Sequence, residues 1–307
     1  MSDPTVTVIL PVYNGENYVR FAIESVLNQT LKHLELVVVD DGSTDSTPEI
    51  LASYGPPLRY VRQENTGVAG AFNHGLRLAR GKYISWLSHD DIFHPTKLEK
   101  QLDALSKLDS PGICYTDIQG IDAEGRVVTE HKLPEHVRGE TLRHVLTGGA
   151  ICSACYSLMY DRRCVEQAGN YAVELKYTQD VDMLSRLVRR FPLVHVPEAL
   201  MQVREHATRA VHTDAWTREV PMFFRSRLAS TPFQELFPEH GESASKSQRS
   251  LGFRWLGDIL STQPEPIRGV AFSLYRRAWR EDPSFTPVLA RRIARLWWLR
   301  FRERKTT

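Results

Sequence analysis

Ser88-His89-Asp90-Asp91 places two adjacent carboxylates directly after the apolar run Tyr83-Ile84-Ser85-Trp86-Leu87. Hard divalent cations take oxygen ligands and often keep positions open for phosphate oxygens. A carboxylate pair at the mouth of a buried strand therefore suits chemistry on a phosphorylated, nucleotide-like substrate. The competing reading is a turn or capping box ahead of a helix from Thr96 to Leu105, with Pro95 favouring its start. Two side-by-side carboxylates repel, which predicts a raised pKa for one of them when no cation is bound. A second acidic turn, Asp40-Asp41-Gly42-Ser43, ends another apolar run. There a carboxylate can accept a hydrogen bond from a base N–H or a ribose hydroxyl, or form the N-cap and turn of the next helix.

These turns need elements to hold them. Val6 to Val12 and Leu34 to Val39 are β-branched apolar runs, and Asn17 to Gln29 between them has helical spacing through Val19, Ala22, Ile23, Val26 and Leu27. Strand, helix and strand with short links predict a right-handed parallel βαβ unit. A helix near Thr47-Pro48, a strand from Leu58 to Gln63 and a helix from Val68 to Ala79 follow. Asn65-Thr66-Gly67 opens that last helix, and Gly81 breaks it before the strand that carries Asp90-Asp91. The alternation predicts an α/β fold with a mostly parallel sheet, whose ligands bind beyond the strand C-termini.

Strand-like segments return from Gly112 to about Thr129, with Asp122-Ala123-Glu124-Gly125 as a hairpin turn. Gly139 to Leu146 reads as helical and Gly148-Gly149 as a flexible loop. Val181 to Arg190 reads as a helix with Met183, Leu184, Leu187 and Val188 inward, and Leu193 to Pro197 as a last short strand. Beyond Thr213 the pattern changes to long helices with a polar break from Glu239 to Arg249.

With 307 residues, 42% apolar and 25% charged content and a net charge of +2, the chain reads as an ordinary globular protein. Bulk charge names no partner, and no interleaving of aromatic and basic residues argues for nucleic acid. Met1-Ser2-Asp3-Pro4 leads straight into a strand without a basic and apolar leader, and no apolar run reaches the about 18 residues of a membrane span. This predicts a cytoplasmic protein. Cys152 and Cys155 form one C-x-x-C with no second pair, so Cys114, Cys152, Cys155 and Cys164 read as buried apolar thiols.

The ordered segments Val8-Ile9-Leu10-Pro11-Val12-Tyr13-Asn14, Ser25-Val26-Leu27-Asn28-Gln29-Thr30, Glu35 to Asp45, Asn65-Thr66-Gly67, Asn73, Ala79 to Ile84 and Asp90-Asp91 resemble the inverting family 2 glycosyltransferases of GT-A fold. The resemblance covers about the first two-thirds of the chain. It implies a mixed, mostly parallel sheet flanked by helices, with a helical C-terminal extension. The implied catalytic domain spans 1–212, with a nucleotide-sugar half (1–111) and an acceptor half (112–212), and residues 213–307 form the extension.

Carried over by position, Pro11 and Tyr13 stand beside the nucleobase, Asp41 on its polar edge, and Asp90 near the ribose or the metal. Asp91 is the principal ligand of Mn²⁺ or Mg²⁺, at the end of the family's D-x-D motif. His89 departs from the common Asp there, and a neutral imidazole also accepts borderline metals such as Mn²⁺. The segment from Tyr177 to Leu187 resembles the family's Glu-Asp element, with Gln179 in place of Glu and Asp180 on the general base. An N-terminal helix carboxylate favoured by the macrodipole is the alternative for Asp180; Asp182, roughly 200° further around, reads as structural.

Gly148-Gly149-Ala150-Ile151-Cys152 lies where family members shape the acceptor pocket, or is a plain turn. Arg204-Glu205-His206 resembles a late R-x-H element whose His206 could reach the metal or the diphosphate, or lie on the surface. The tail from Arg291 to Lys305 mixes arginines with Trp297 and Trp298, which suits either an anionic membrane face or packing on the domain.

The implied activity is metal-dependent inverting transfer from a nucleoside diphosphate sugar, a UDP-sugar by family habit, to a sugar or lipid-linked glycan hydroxyl in surface polysaccharide or glycoconjugate assembly. Peripheral contact with the inner membrane face would go with it. The alternatives are a catalytically silent nucleotide-sugar binding protein and a sugar nucleotidyltransferase. Pro11-Val12-Tyr13-Asn14-Gly15 lacks the glycine-rich triphosphate loop that the latter needs.

Overall fold

The structure, a computed structural model, describes residues 3–135, 140–148, 150–206, 213–263, 265 and 267–303. Every residue of β1 (Val6–Val12) and β2 (Leu34–Asp40) is buried. Strands covered on both faces need continuous apolar runs, which is what these two contain. Between them α1 (Val19–Leu27) buries Val19, Ala22, Ile23 and Val26 against the sheet. The chain continues through α2 (Thr47–Ala52), β3 (Leu58–Arg62), α3 (Gly67–Leu78), β4 (Tyr83–Trp86), β5 (Ile92–Phe93) and α4 (Lys97–Ser106). Strands β3, β2, β1 and β4 are mutually parallel neighbours in that order.

The sheet then turns mixed. It runs on through β8 (Met159–Asp161), β6 (Ile113–Ile121), β9 (Leu193–Arg204) and β5, with β7 (Val127–His131) paired to β6. Strand β8 is antiparallel to both β4 and β6, whereas β6 and β9 are parallel. The expected hairpin turn joins β6 to β7: the Asp122 N–H donates to the Arg126 carbonyl (2.9 Å) and Gly125 sits at φ 87°. Helices α6 (Arg162–Ala168) and α7 (Gln179–Leu187) and a 3₁₀ segment, Ala150–Ser157, complete this region; α5 (Thr141–Val145) precedes that segment in the chain.

Two features differ from the sequence reading. The three-residue β8 is too short to show a period. Strand β9 does not stop at Pro197 but runs twelve residues, to Arg204. Its register against β6 jumps from Thr116↔Val196 to Asp117↔Ala199, so Pro197 and Glu198 bulge out and pairing resumes beyond them. A proline cannot donate to the ladder, and the bulge accommodates it.

The chain divides into two compact units, residues 1–136 with 150–212, and 137–149 with 213–307. The second unit contains α5, α8 (Asp214–Ser230), α9 (Phe233–Leu236), α10 (Lys246–Thr262), α11 (Ala271–Glu281) and α12 (Thr286–Glu303). Helices α10 and α11 approach closely because Gly257 leaves room for the Tyr275 ring; a Cβ there would lie 2.5 Å from it. Arg143 of α5 is buried between the rings of Phe237 (5.3 Å) and Trp255 (5.1 Å), and its guanidinium pairs with Glu140 and Glu239. Helix α12 buries Leu289 and Leu296 and pairs Arg292 with Asp258, while Trp298 is exposed. The side chains of Trp297 and Arg300, all of residues 304–307 including Arg304 and Lys305, and Gly149 lie outside the described residues. Among the described residues no helix is long and apolar enough to cross a membrane.

Buried Glu35 ties the base of the sheet together. It accepts from Thr7 Oγ1 (2.7 Å), the Arg80 backbone N–H (2.7 Å), and Arg80 Nε and Nη2 (3.0 and 2.8 Å). Burial raises its pKa, but these donors outweigh burial and hold the carboxyl below its ordinary value. Glu35→Gln turns an N–H toward these donors and is expected to cost about 2 kcal/mol in urea unfolding at pH 7. Because the folded pKa is the lower one, the wild-type advantage is present above about pH 5 and lost as pH falls through the folded value, so the two proteins should converge in acid.

Candidate active site

Parallel register sets Val12 beside Asp40, Asp40 beside Arg62 and Ile9 beside Trp86, so the segments leaving β1 to β4 emerge along one edge. Pro11 is buried within β1, and Tyr13 just beyond it is 47% exposed. Asn14, at φ 51°, turns the chain so that its N–H donates to Ser43 Oγ (3.0 Å) while its Oδ1 accepts from the Thr44 N–H (2.8 Å). The Gly15 N–H donates to Thr47 Oγ1 (2.8 Å), which fastens the loops after β1 and β2 together.

Asp40 and Asp41 serve different parts. Asp40 closes its own turn by accepting the Ser43 N–H (2.8 Å). Asp41 accepts the N–H groups of Thr66 (2.9 Å) and Gly67 (2.8 Å) and a hydrogen from Gln63 Nε2 (2.7 Å). The helix it caps is α3, across the sheet edge, and not the next helix in sequence. Gln63 also meets His74 Nδ1 at 2.6 Å, forming a polar floor that the sequence did not single out.

The Asp90–Asp91 turn is held by the far end of β9. The Arg204 N–H donates to Asp91 Oδ1 (2.9 Å) and Arg204 Nε to the Asp90 carbonyl (3.0 Å). Arg204 Nη1 donates to the carbonyls of Asp122 (3.1 Å) and Ala123 (2.9 Å), and the guanidinium lies over Tyr18, 4.8 Å from the ring centre. His206 Nε2 meets Asp90 Oδ2 at 3.0 Å, so His206 is part of this cluster and not a plain surface histidine. Sequence reasoning missed the part played by Arg204 because β9 was expected to end before it.

The charge state of Asp90 is set by its neighbours. Burial raises the Asp90 pKa, but the His89 ring and the hydrogen bond from His206 outweigh it and hold the carboxyl below its ordinary value. Burial lowers the pKa of His89 itself. That ring packs on Gly15, where a Cβ would stand 2.8 Å from His89 Cδ2.

Asp180 is the second residue of α7, with Asp182, on another face of the same first turn, paired to Arg186 Nε at 2.9 Å. Its surroundings are the thiols of the 3₁₀ segment. Burial first, and the nearby Asp180 carboxylate second, push Cys152 up to about 12 and Cys155 well above its ordinary value. Neither thiol is in a disulfide; Cys155 is buried, as expected, whereas Cys152 is only half-buried.

Among the described residues no three His, Cys, Asp or Glu side chains converge on one point. The cluster nonetheless offers a carboxylate and an imidazole meeting at 3.0 Å, with Asp91 next to them. A carboxylate and an imidazole are donor types that Mn²⁺ or Mg²⁺ accepts, but Asp91 does not converge with that pair into a three-ligand site.

A mixed sheet with β8 turned antiparallel beside four parallel strands, a helix-covered core and an acidic turn past the fourth strand define the GT-A fold. Staphylococcus aureus TarS 1–349 in complex with UDP-GlcNAc superposes with a TM-score of 0.63 at 19% identity, over 91% of this chain and 88% of that one. The mannosyltransferase PcManGT of Pyrobaculum calidifontis, in complex with GDP-Man and Mn²⁺, gives 0.54 at 18% identity over 97% and 88%. The chain belongs to glycosyl transferase family 2, whose family model matches residues 7–169, and is a glycosyltransferase. A Rickettsia prowazekii protein described as an uncharacterised glycosyltransferase is 37% identical over 213 residues, 68% of this chain and 67% of that one. Other Rickettsia relatives are matched over as little as 34% of their length.

The capping geometry of Asp41 makes a ligand-free prediction. Asp41→Ala should lower the stability of the first unit by about 1–2 kcal/mol in thermal unfolding, the usual cost of losing a helix cap. Asp41→Asn, which keeps one acceptor oxygen, should lose less than half of that.

Proposed function

We propose that the protein transfers a sugar from a nucleoside diphosphate sugar to a hydroxyl acceptor with inversion at the anomeric carbon, in surface polysaccharide or glycoconjugate assembly. The observation that carries this reading is the cluster of Asp90, Asp91 and His206, gathered by β9 at the C-terminal ends of a family 2 sheet. The donor would lie along that edge with its base by Pro11, Tyr13 and Asp41 and its ribose by Asp90. Both Asp41 oxygens already hold backbone or amide N–H groups, so its effect on the base would come from lone pairs left over and from fixing the start of α3.

Asp91 and His206, with Asp90 beside them, are the residues assigned to hold Mn²⁺ or Mg²⁺. When bound, such a cation neutralises charge on the leaving diphosphate. Asp180 is assigned the general base, taking the acceptor hydroxyl proton as that oxygen attacks from the face opposite the diphosphate. The 3₁₀ segment Ala150–Ser157, whose Cys152 and Cys155 stand close to Asp180, is assigned the acceptor side. A sugar or lipid-linked glycan is the acceptor in this reading. A peripheral membrane contact through α12 goes with it, supported by exposed Trp298, Arg291 and Arg295. The catalytic domain is proposed to span 1–212, with residues 213–307 as its helical extension.

The test is a panel of UDP-, GDP-, ADP- and CDP-sugars assayed for binding and slow hydrolysis with Mn²⁺ or Mg²⁺, then with chelator. One donor should turn over, and chelator or Asp91→Ala should each lower turnover at least 100-fold. Asp180→Asn should keep donor binding within about threefold and lower transfer at least 100-fold. Metal-independent binding without any turnover would replace the transferase with a nucleotide-sugar binding protein.

A further inference from the structure

Lys97, the first residue of α4 and six positions past Asp91, is wholly buried. Its Nζ donates to Gln101 Oε1 (2.7 Å) and Ser85 Oγ (3.3 Å) and stands 4.0 Å from the centre of the Phe93 ring. Among the described residues no carboxylate pairs with it. A buried amine without a counter-ion is expensive, and a methionine would fill the space without that cost. What the amine adds is a set of directed hydrogen bonds, and their destination is informative.

Gln101 Nε2 donates onward to the carbonyls of Ser157 (2.8 Å) and Cys114 (3.3 Å), and Ser85 Oγ to the carbonyl of Leu158 (3.1 Å). Two hydrogen-bonded chains thus leave one nitrogen and end on consecutive carbonyls, where the 3₁₀ segment Ala150–Ser157 rejoins the sheet. Ser157 Oγ accepts the Thr116 N–H (3.0 Å), which locks that junction to β6. The far part of the segment holds the thiols that lie close to Asp180.

We propose that Lys97 is a positioning residue which, through Gln101 and Ser85, indexes the acceptor-side segment Ala150–Ser157 against β4 and the Asp90–Asp91 turn that β4 carries. The acceptor label on that segment rests on the function proposed above; the mechanical link does not. Burial lowers the amine to about 7. The titratable group facing it is Cys114 on β6, whose thiol burial pushes up to about 12, so it stays neutral. When the segment lifts away and water reaches the amine, the pKa returns to about 10.4. Opening therefore takes up a proton between those values. Each pH unit above 7 should make opening up to about tenfold rarer, with no dependence below 7, where both states are charged.

Hydrogen exchange on the full chain at pH 6, 7, 8 and 9, corrected for the intrinsic pH dependence of exchange, tests this. In the wild type, protection of peptides covering 150–158 should rise by about 10- to 100-fold from pH 7 to 9, while peptides covering 6–12 do not follow. Lys97→Met should abolish the rise. Gln101→Leu, which keeps the amine and cuts the path to Ser157, should lower protection at 150–158 at least tenfold at pH 8. Binding of whichever of UDP, GDP, ADP or CDP the wild type holds most tightly with Mn²⁺ should stay within twofold in both variants. Protection at 150–158 without that pH rise, or the same rise in Lys97→Met, overturns the proposal. So does a fall in nucleotide binding with 150–158 unchanged. Should Lys97→Met not fold, the wild-type pH series and Gln101→Leu decide. Exchange needs no donor or acceptor, so a failure of the transferase reading would leave this result standing.

Discussion

Burial of β1 and β2 on both faces is the constraint from which the rest of the molecule follows. Two runs of seven buried strand positions leave room inside the sheet for polar groups only where they satisfy each other, as Thr7 and Glu35 do. The remaining polar residue of these two strands, Asp40, stands at a strand end. Parallel pairing then aligns those ends, so that the segments carrying Tyr13, Asp41, Gln63 and Asp90, far apart in sequence, emerge along one edge. The same edge is where helix N-termini arrive, which is why Asp41 can spend its carboxylate on α3.

The edge is completed from the other direction. Strand β9, parallel to β6 and remote in sequence from Asp90, delivers a backbone N–H, a guanidinium and an imidazole to one acidic turn. Arg204 does this almost wholly through carbonyls and aromatic faces. Its charge is spread over backbone dipoles and rings, leaving the carboxylates of Asp90 and Asp91 to face other partners. His206 and His89 then settle the charge of Asp90, so the turn is stable with its carboxylate ionised.

Much of this was legible in the residues. The four parallel strands declared themselves because double-sided burial writes long β-branched runs, and α1 and α3 because their apolar stripes keep a clean 3.6-residue period. The acidic turn after β4 was visible for the same reason, being the first polar cluster after such a run. The second half of the sheet was harder to read. Strand β8 is three residues long, and Pro197 ends the apparent pattern of β9 although a two-residue bulge lets pairing resume. That single proline concealed why Arg204 and His206 belong together with Asp90. The target of the Asp41 cap was equally hidden, since local sequence cannot say which helix start will arrive at a given strand end. Burial of Lys97 and Gln101 carried no signal in the residues, because an i, i+4 polar pair on an amphipathic helix is normally solvated.

Residues 137–149 give the two units an unusual relation to the linear sequence. The chain leaves the first unit after His136, contributes α5 to the helical one, and returns at Ala150. Leu142, Val145 and Leu146 are buried there, and Arg143 is caged by Phe237 and Trp255. The helical unit is therefore not a tail that recombination at one junction can exchange. A swap between relatives that cuts only near residue 212 would part α5 from the rings and acidic partners that receive it. To be inherited intact, the helical unit must travel as two pieces of gene, one of them lying between the two segments of the first unit.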